Sequence, residues 1–246
     1  MLGFIMAMHG LRGWLDHGHL KVDQQAKGLF QMASKLFLGN ARYSSWSMRG
    51  WLMVQLAGMQ VEEIFIPLGQ GVVMAAPSGL VPYLEHEGAQ IWESLAIAEY
   101  CAELNPALWP AERRAKAWAR SISAEIHAGF NGLRVAMPMN LGRDDYKGLG
   151  QTPEALADIA RIEALWVQTR AEFGAGGPFL FGAQFGVADA MYAPVVARFL
   201  TYAPPLGPVA QTYCKAVRAY GPVAQWYAMA SQEPQSWRVD RYESLV

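Results

Sequence analysis

The stretch Ser78–Leu104, SGLVPYLEHEGAQIWESLAIAEYCAEL, decides the fold because it carries three structural signals in a fixed order. The apolar runs Leu80–Leu84 and Ala89–Trp92 each predict a short strand. Between them Glu85–Gly88 is polar and ends in glycine, which is typical of a hairpin turn. Helix-favouring residues follow the second run. The stretch therefore predicts a strand, a turn, a strand and a helix.

Two positions in this stretch suggest a ligand site. A proline inside a strand pair is unusual, because it donates no ladder hydrogen bond and belongs at an edge or a strand start. If the Val81-Pro82 bond is cis, the backbone of Val81 turns outward with its amide and carbonyl free for a ligand. Ser94 stands where the helix begins, among amide donors that attract a carboxylate or phosphate. Taken singly, an edge proline and a serine N-cap explain the same residues.

In combination, Val81-Pro82 before the hairpin and Glu93-Ser94 at the helix start resemble the glutathione-binding half of the soluble glutathione S-transferase family. The resemblance implies that Val81, preceding a cis-Pro82, pairs through its backbone with the cysteinyl part of glutathione. It also implies that Glu93 and Ser94 hold the γ-glutamyl end. Glutathione is then expected as the co-substrate.

The residues before this stretch complete an α/β domain. The predicted elements are a strand at Lys35–Gly39, a helix at Gly50–Ala57, a strand at Val61–Leu68 and a Gly-rich link with a possible helical turn at Val72–Ala75. The order β-α-β, link, β-β-α predicts a thioredoxin-like domain over residues 34–104. Residues 1–33 are poorly patterned and form an unassigned N-terminal extension.

In a thioredoxin-like domain the chemistry lies between the first strand and the first helix, where the helix N-terminus stabilises an anion. A redox member would place Cys-x-x-Cys there. This chain carries hydroxyl groups instead, at Tyr43, Ser44, Ser45 and Ser47. Hydroxyls cannot transfer electrons in a redox cycle, but they can donate a hydrogen bond to a thiolate that a ligand supplies. We predict that Ser44 or Ser45 activates the thiol, with Tyr43 in reserve; a serine-rich N-cap is the structural alternative.

The same loop resembles the zeta class of the family, which carries Ser-Ser-Cys-Ser-Trp-Arg. Here the stretch Ser44–Arg49 reads SSWSMR, so that Trp46 replaces the cysteine and Met48 the tryptophan. Ser44 matches the zeta serine, whereas Ser45 has the spacing of theta-like classes, four residues before the arginine. The two replacements weigh against the zeta reaction, the cis-trans isomerisation of maleylacetoacetate.

Beyond a proline-containing linker at 105–111, residues 112–246 predict an all-α domain. The predicted helices are Glu112–Asn131 with a possible extension to Leu141, Pro153–Gly174, Val187–Leu200, Val209–Ala219 and Pro222–Ala230. Asp189 resembles the acidic residue of a family capping box, with Gly186 in place of its hydroxyl residue, so we expect a folding role. His127 and Glu125 do not share a helix face, which disfavours a general-base pair; His127 remains a candidate for the inter-domain cleft.

Composition excludes several classes of function. The 246 residues carry a net charge of −1 and have a pI near 6.5. They lack the clusters of Lys and Arg that are typical of a nucleic-acid-binding protein. Cys101 and Cys214 predict neither a disulfide framework nor a zinc site, and they suit a reducing cytoplasm. The apolar run Leu2–Met8 is too short to span a membrane. His17 and His19 lack further ligands, so no metal is predicted.

Two functions stay open at this point. The first is a transferase that activates glutathione for conjugation, substitution or isomerisation of an apolar electrophile. The resemblance implies a cytoplasmic homodimer of the detoxification type. The second is a glutathione-domain protein without catalysis, which serves as a ligand carrier or assembly module.

Overall fold

The computed structural model describes residues 34–68 and 76–244. Everything predicted for residues 1–33, including His17 and His19, and the helical turn predicted at Val72–Ala75 lie outside the described residues. The described chain begins with a small mixed sheet flanked by helices and continues entirely as helices. This confirms the predicted fold class, a thioredoxin-like α/β domain followed by an all-α domain.

The N-terminal part is built around a four-stranded sheet. Its elements are β1 (Lys35–Leu38), α1 (Ser45–Leu56), β2 (Glu62–Phe65), β3 (Tyr83–His86), β4 (Ala89–Trp92) and α2 (Ser94–Leu104). The strand order is β2-β1-β3-β4, with β2 parallel to β1 and the other pairs antiparallel. Leu36 and Leu38 alternate with outward residues along β1 and are fully buried. This period of two directs one face of β1 into the core.

The helical part follows a single 3₁₀ turn at Pro106–Leu108. Its elements are α3 (Arg113–Ala128), α4 (Asn131–Ala136), α5 (Pro153–Phe173), α6 (Val187–Tyr202), α7 (Pro208–Ala219), α8 (Gly221–Gln232), a 3₁₀ turn (Gln235–Trp237) and α9 (Asp240–Glu243). Nearly every residue of α6 is buried, so this helix forms the centre of the helical core.

Specific contacts join the helical part to the first βα connection. Trp226 on α8 donates its indole N–H to the carbonyl of Ala41 at 3.0 Å. Arg49 on α1 donates from Nε to the carbonyl of Met191 on α6 at 2.9 Å. The rings of Trp51 and Trp226 lie 5.3 Å apart. These buried contacts fix α1 and the loop before it against the helices.

Of the element boundaries that differ from the sequence prediction, three have a clear local reason. Helix α1 begins at Ser45, before the predicted Gly50, because the Ser44 side chain caps it by accepting the N–H of Ser47. Strand β3 begins after Pro82, which has no N–H to donate to the ladder. Helix α3 ends at Ala128 because Phe130 adopts a left-handed conformation with φ +62°.

Asp189 has the structural role predicted for it. Its carboxylate accepts the N–H of Gly186 and of Leu180, both at 3.0 Å, and the hydroxyl of Tyr213 at 2.9 Å. Burial raises the pKa of Asp189 to about 6, although these three donors act in the opposite direction. The carboxylate therefore ties the start of α6 to the preceding loop and to α7.

Candidate active site

A cavity of about 580 Å³ lies between the N-terminal part and the helical part. We call its first side the thioredoxin wall, formed by Tyr43, Ser44, Ser45, Trp46, Leu68, Ser78, Leu80, Val81, Pro82 and Glu93. We call its second side the helical wall, formed by Arg134, Pro138, Met139, Arg198, Arg241 and Tyr242. The structure thus brings six of the seven predicted site residues into one cavity, and the seventh, Ser94, directly follows Glu93.

The two candidate serines have different surroundings. Ser44 Oγ accepts the N–H of Ser47 at 3.2 Å and lies 2.9 Å from Ser47 Oγ. Ser44 donates its proton in this contact, and Ser47 Oγ also accepts the N–H of Gly39 at 2.8 Å. Ser45 Oγ instead lies 3.5 Å from a terminal nitrogen of Arg198 on the helical wall. Both hydroxyls are nearly buried and sit at the N-terminus of α1.

Tyr43 is held by the C-terminal end of the described chain. Its hydroxyl donates to the Glu243 carboxylate and accepts the N–H of Val239 at 3.5 Å. The rings of Tyr43 and Tyr242 lie 5.2 Å apart. Burial, followed by the Glu243 hydrogen bond, raises the pKa of Tyr43 well above its ordinary value. The phenol is therefore neutral at physiological pH, with its proton shared with a carboxylate.

The Val81-Pro82 peptide bond is cis. The ladder between β1 and β3 starts at Tyr83, so Val81 stands before the paired part of the strand. Gly50 packs on the proline ring, and a Cβ at this position would lie 2.8 Å from the Cβ of Pro82. A glycine on α1 therefore allows the helix to approach the Val81-Pro82 turn closely.

Glu93 and Ser94 form the start of α2. Glu93 has φ +70° and ψ 127°, a conformation that costs a non-glycine residue about 1–3 kcal/mol. Ser94 is fully buried, and its hydroxyl has no hydrogen-bond partner among the described residues. A strained residue and an unpartnered buried hydroxyl thus occur side by side at a helix N-terminus.

His127 reaches this end of the cavity from α3. Its Nε2 lies 3.7 Å from a Glu93 carboxylate oxygen, and its ring meets Trp46 edge-on at 5.2 Å. Burial and, secondarily, Arg49 lower the pKa of His127. Glu125, by contrast, pairs with Arg161 at 2.8 Å on the outer face of the helix. The two residues face different surroundings, as their spacing predicts.

Sequence reasoning missed the arginines around Trp46. The guanidinium carbons of Arg49 and Arg134 each lie 4.9 Å from the Trp46 ring centroid. Arg198 lies on the adjacent helix α6 and contacts Ser45. Burial and the neighbouring guanidiniums lower the pKa of Arg198 to about 9, and they also lower the pKa of Arg49. The sequence comparison includes Arg49 only as the last residue of the SSWSMR stretch, without a role, and no motif marks Arg134 or Arg198, because each is a single basic residue in an otherwise helical pattern.

No sequence signal marks the C-terminal tail, residues 233–244, which holds the loop before α1. Glu233, after α8, accepts hydrogen bonds from the backbone N–H of Ala41 and, at 3.4 Å, from that of Arg42. Asn40 donates to Glu233 and to the carbonyl of Trp237 at 3.3 Å. These contacts fix the backbone just before Tyr43.

A second cavity of about 630 Å³ lies below the 3₁₀ turn at Pro106–Leu108, between α3 and the loop before α6. Of the predicted residues it contains only Asp189, whose oxygens are already hydrogen-bonded. Cys101 and Cys214 are free thiols elsewhere in the core, and burial raises the pKa of each to about 12. Neither thiol is a nucleophile at neutral pH.

Within residues 34–68 and 76–244, no group of three His, Cys, Asp or Glu side chains is placed to hold a metal ion. Over the same residues no helix combines the length and the apolar character needed to cross a membrane.

Family models match both parts of the chain. The model of the glutathione S-transferase N-terminal domain matches residues 43–104, and that of the C-terminal domain matches residues 141–228. No curated protein matches the sequence.

Solved structures of the same architecture superpose on most of the chain. A glutathione transferase homolog from Burkholderia, solved with bound glutathione, shares 22% identity over 82% of this chain and 100% of its own, with a TM-score of 0.64. A maleylacetoacetate isomerase from Anaeromyxobacter dehalogenans, solved with glutathione in its active site, shares 25% identity over 84% of this chain and 99% of its own, with a TM-score of 0.61. A theta class enzyme from Xanthomonas axonopodis pv. citri shares 19% identity over 80% and 97%, with a TM-score of 0.54. With both domain models matched in order, the chain belongs to the glutathione S-transferase family.

Proposed function

We propose that the chain is a glutathione transferase that binds glutathione on the thioredoxin wall and activates its thiol at the N-terminus of α1. One observation carries this proposal: the two serines at the start of α1, Val81 and Glu93 all line a single cavity. The glutathione bound in the Burkholderia and Anaeromyxobacter structures supports it.

The γ-glutamyl end of glutathione is assigned to the start of α2. Free backbone N–H groups at a helix N-terminus favour a carboxylate. The Ser94 hydroxyl is buried without a partner in the described part of the chain, and a ligand carboxylate would supply an acceptor for it. The Val81 backbone, which stands before the ladder, is assigned to the cysteinyl part. This arrangement directs the thiol toward Ser44 and Ser45.

Thiol activation follows from the energetics of one charged hydrogen bond. A cysteine thiol has a pKa near ~8.5, and lowering it by ~2 units requires about 2.7 kcal/mol of preference for the thiolate. A hydrogen bond to a charged group contributes about 1.5–3 kcal/mol, and a helix N-terminus about 0.3–1 kcal/mol. A serine hydroxyl at the start of α1 therefore suffices without a metal or a base.

Of the three candidate hydroxyls, Ser44 and Ser45 suit this role better than Tyr43. The Tyr43 proton is already donated to Glu243. Ser44 donates to the Ser47 hydroxyl, a neutral acceptor that a thiolate can replace because hydrogen bonds to charged groups are stronger. Ser45 keeps its proton because its contact with Arg198 makes its oxygen an acceptor.

The electrophile is assigned to the space in front of the helical wall, where Met139, Pro138 and Tyr242 offer an apolar surface. Conjugation and substitution are the reactions we propose first. Isomerisation of the zeta type is the second candidate, favoured by the 25% identity to a maleylacetoacetate isomerase. The indole of Trp46, held between two arginines, fills the position of the zeta cysteine.

We further propose a cytoplasmic two-fold homodimer with a role in detoxification. Large apolar side chains at Leu80, Trp92 and Leu104 are exposed on the N-terminal part, and they are candidates for a subunit interface. Light scattering should give a mass well above the 27.1 kDa of one chain. A monomer at micromolar concentration would contradict the dimer.

The function is tested by titrating the purified chain with glutathione in a calorimeter and following the ultraviolet absorbance of the thiolate against pH. We expect saturable binding and a bound thiol pKa about 2 units below the ordinary ~8.5. Turnover of chlorodinitrobenzene and of maleylacetoacetate then separates conjugation from isomerisation. Binding without a shifted pKa or turnover would support the non-catalytic alternative, and no binding would refute both functions.

A further inference from the structure

The helical wall of the active-site cavity is cationic. Three of its six residues are arginines, namely Arg134, Arg198 and Arg241. Among the described residues, Glu93 on the opposite wall is the only acidic residue that lines the cavity. The wall assigned to the second substrate is therefore positively charged as well as apolar.

The two inner arginines lack an anionic partner. Arg198 donates to the carbonyls of Met137 at 2.8 Å and Pro194 at 3.0 Å, which are neutral acceptors. Arg134 likewise donates to backbone carbonyls of α3 and its C-terminal cap. Within the part of the chain that the structure describes, neither guanidinium lies at ion-pair distance from a carboxylate.

A third guanidinium lies behind the first two. Arg49 is fully buried, and both of its terminal nitrogens have no hydrogen-bond partner among the described residues. The Trp46 ring separates it from Arg134, at 4.9 Å from each guanidinium. Three neighbouring charges of one sign repel each other, and the burial of two of them, Arg49 and Arg198, adds a further cost. A bound anion would offset both costs.

We propose that the electrophile carries a carboxylate, which Arg134 and Arg198 bind, attached to an apolar body that packs on Met139 and Tyr242. This inference rests on the proposed function, because it names the substrate class of the same cavity. Arg198 Nη2 lies 3.5 Å from Ser45 Oγ, so a carboxylate on Arg198 is held beside the proposed thiol position. The arginines thereby orient the electrophile toward the thiolate.

Two conjugates that differ only in charge test the proposal: S-(4-carboxybenzyl)glutathione and S-(4-carbamoylbenzyl)glutathione. Both carry the same apolar ring and the same glutathione moiety. Calorimetry should give a dissociation constant about tenfold or more lower for the carboxylate, as expected for charge-assisted hydrogen bonds. Free glutathione is titrated alongside as the reference for the thioredoxin wall.

Three variants assign this preference to residues. Arg134→Gln should remove most of the preference for the carboxylate while free glutathione binds as before. Arg198→Lys keeps a cation at this buried position and should retain at least half of the preference on a logarithmic scale. Arg114→Gln, an exposed arginine that pairs with Glu172 away from this cavity, is the control and should change nothing. Thermal unfolding of each variant verifies that it is folded.

Each result decides one of the two proposals. Equal binding of the two conjugates, or tighter binding of the carbamoyl form, overturns the anionic substrate while leaving the transferase intact. A loss in Arg134→Gln that is equal for both conjugates and for free glutathione assigns the arginines to glutathione and also overturns it. If neither glutathione nor a conjugate binds, the proposed function fails, and this inference fails with it.

Discussion

The two walls of the active-site cavity differ in how far apart their residues lie in the sequence. The predicted residues of the thioredoxin wall fall between Tyr43 and Glu93, in three short motifs, of which two lie at the start of a helix and one, Val81-Pro82, directly precedes β3. The helical wall takes its residues from α4, the loop after it, α6 and α9, between Arg134 and Tyr242. The first wall depends on backbone features, whereas the second depends on side chains that tertiary packing brings together.

This difference has a chemical cause. The thioredoxin wall is assigned to glutathione, whose peptide backbone and carboxylate are matched by a helix terminus, an unpaired strand segment and hydroxyls. Such features leave local sequence signals, which are the proline, the serines and the N-terminal residues of a helix. The helical wall is assigned to the second substrate, and its specificity resides in single side chains on helices whose sequence pattern is set by burial. Single substitutions can therefore measure the contribution of each wall to ligand binding separately.

The largest effect is expected at Ser94. Replacing it with alanine removes the donor assigned to the γ-glutamyl carboxylate, so glutathione binding should weaken by about 1.5–3 kcal/mol, or ten- to a hundredfold. Stability should not fall, since the hydroxyl has no partner within the described protein. Calorimetric titration and thermal unfolding measure the two quantities.

Ser123 supplies the matched control for Ser94. Like Ser94, it is a fully buried serine whose hydroxyl has no partner among the described residues. Ser123 lies inside α3, however, and not at the helix N-terminus that is assigned to the γ-glutamyl carboxylate. Ser123→Ala should leave glutathione binding unchanged. If both variants bind glutathione equally well, the assignment of the γ-glutamyl end to Ser94 is wrong.

A smaller effect is expected on the pKa of the bound glutathione thiol. Replacing the responsible serine, Ser44 or Ser45, with alanine should raise the pKa of bound glutathione by about one to two units, because one charged hydrogen bond is lost. Glutathione affinity should change little, since the carboxylate and backbone contacts remain. The thiolate absorbance against pH gives the titration for each variant, and the double variant shows whether the hydroxyls act together. An unchanged titration in all three would exclude a serine mechanism.

Some of this architecture can be predicted from sequence and some cannot. Val81-Pro82 and the Gly88 turn lie within a short window, so the order of β3, β4 and α2 follows from local signals. The sequence prediction places the start of α1 too late: the Ser44 cap is local, but the hydrogen bond that fixes Ser47 comes from Gly39, across the loop. The role of Arg198 cannot be predicted from its helical sequence pattern, because only the packing of α1 against α6 brings it beside Ser45.

The smallest effect is expected for Tyr43→Phe. This variant tests whether the Tyr43 hydroxyl acts on the bound thiol or only anchors the C-terminal tail. Tyr43 belongs to the thioredoxin wall by position, but its hydroxyl is bonded to Glu243 at the end of α9. Burial raises its pKa, so the phenol keeps its proton at neutral pH and has it engaged with a carboxylate. We therefore expect the pKa of bound glutathione to stay unchanged and the free energy of unfolding to fall by about 1 kcal/mol.

Tyr146→Phe is the matched control for this last variant. The Tyr146 hydroxyl donates to the carbonyl of Tyr242 at 3.0 Å, so it anchors the same tail without lining the cavity. Denaturant unfolding should show a loss of similar size in both variants, because each removes one hydrogen bond to the tail. A rise of a unit or more in the thiol pKa for Tyr43→Phe alone would mean that the tyrosine activates glutathione. The Glu243 contact would then have to open when glutathione binds, and the tail would control the thiol-activating group of the thioredoxin wall.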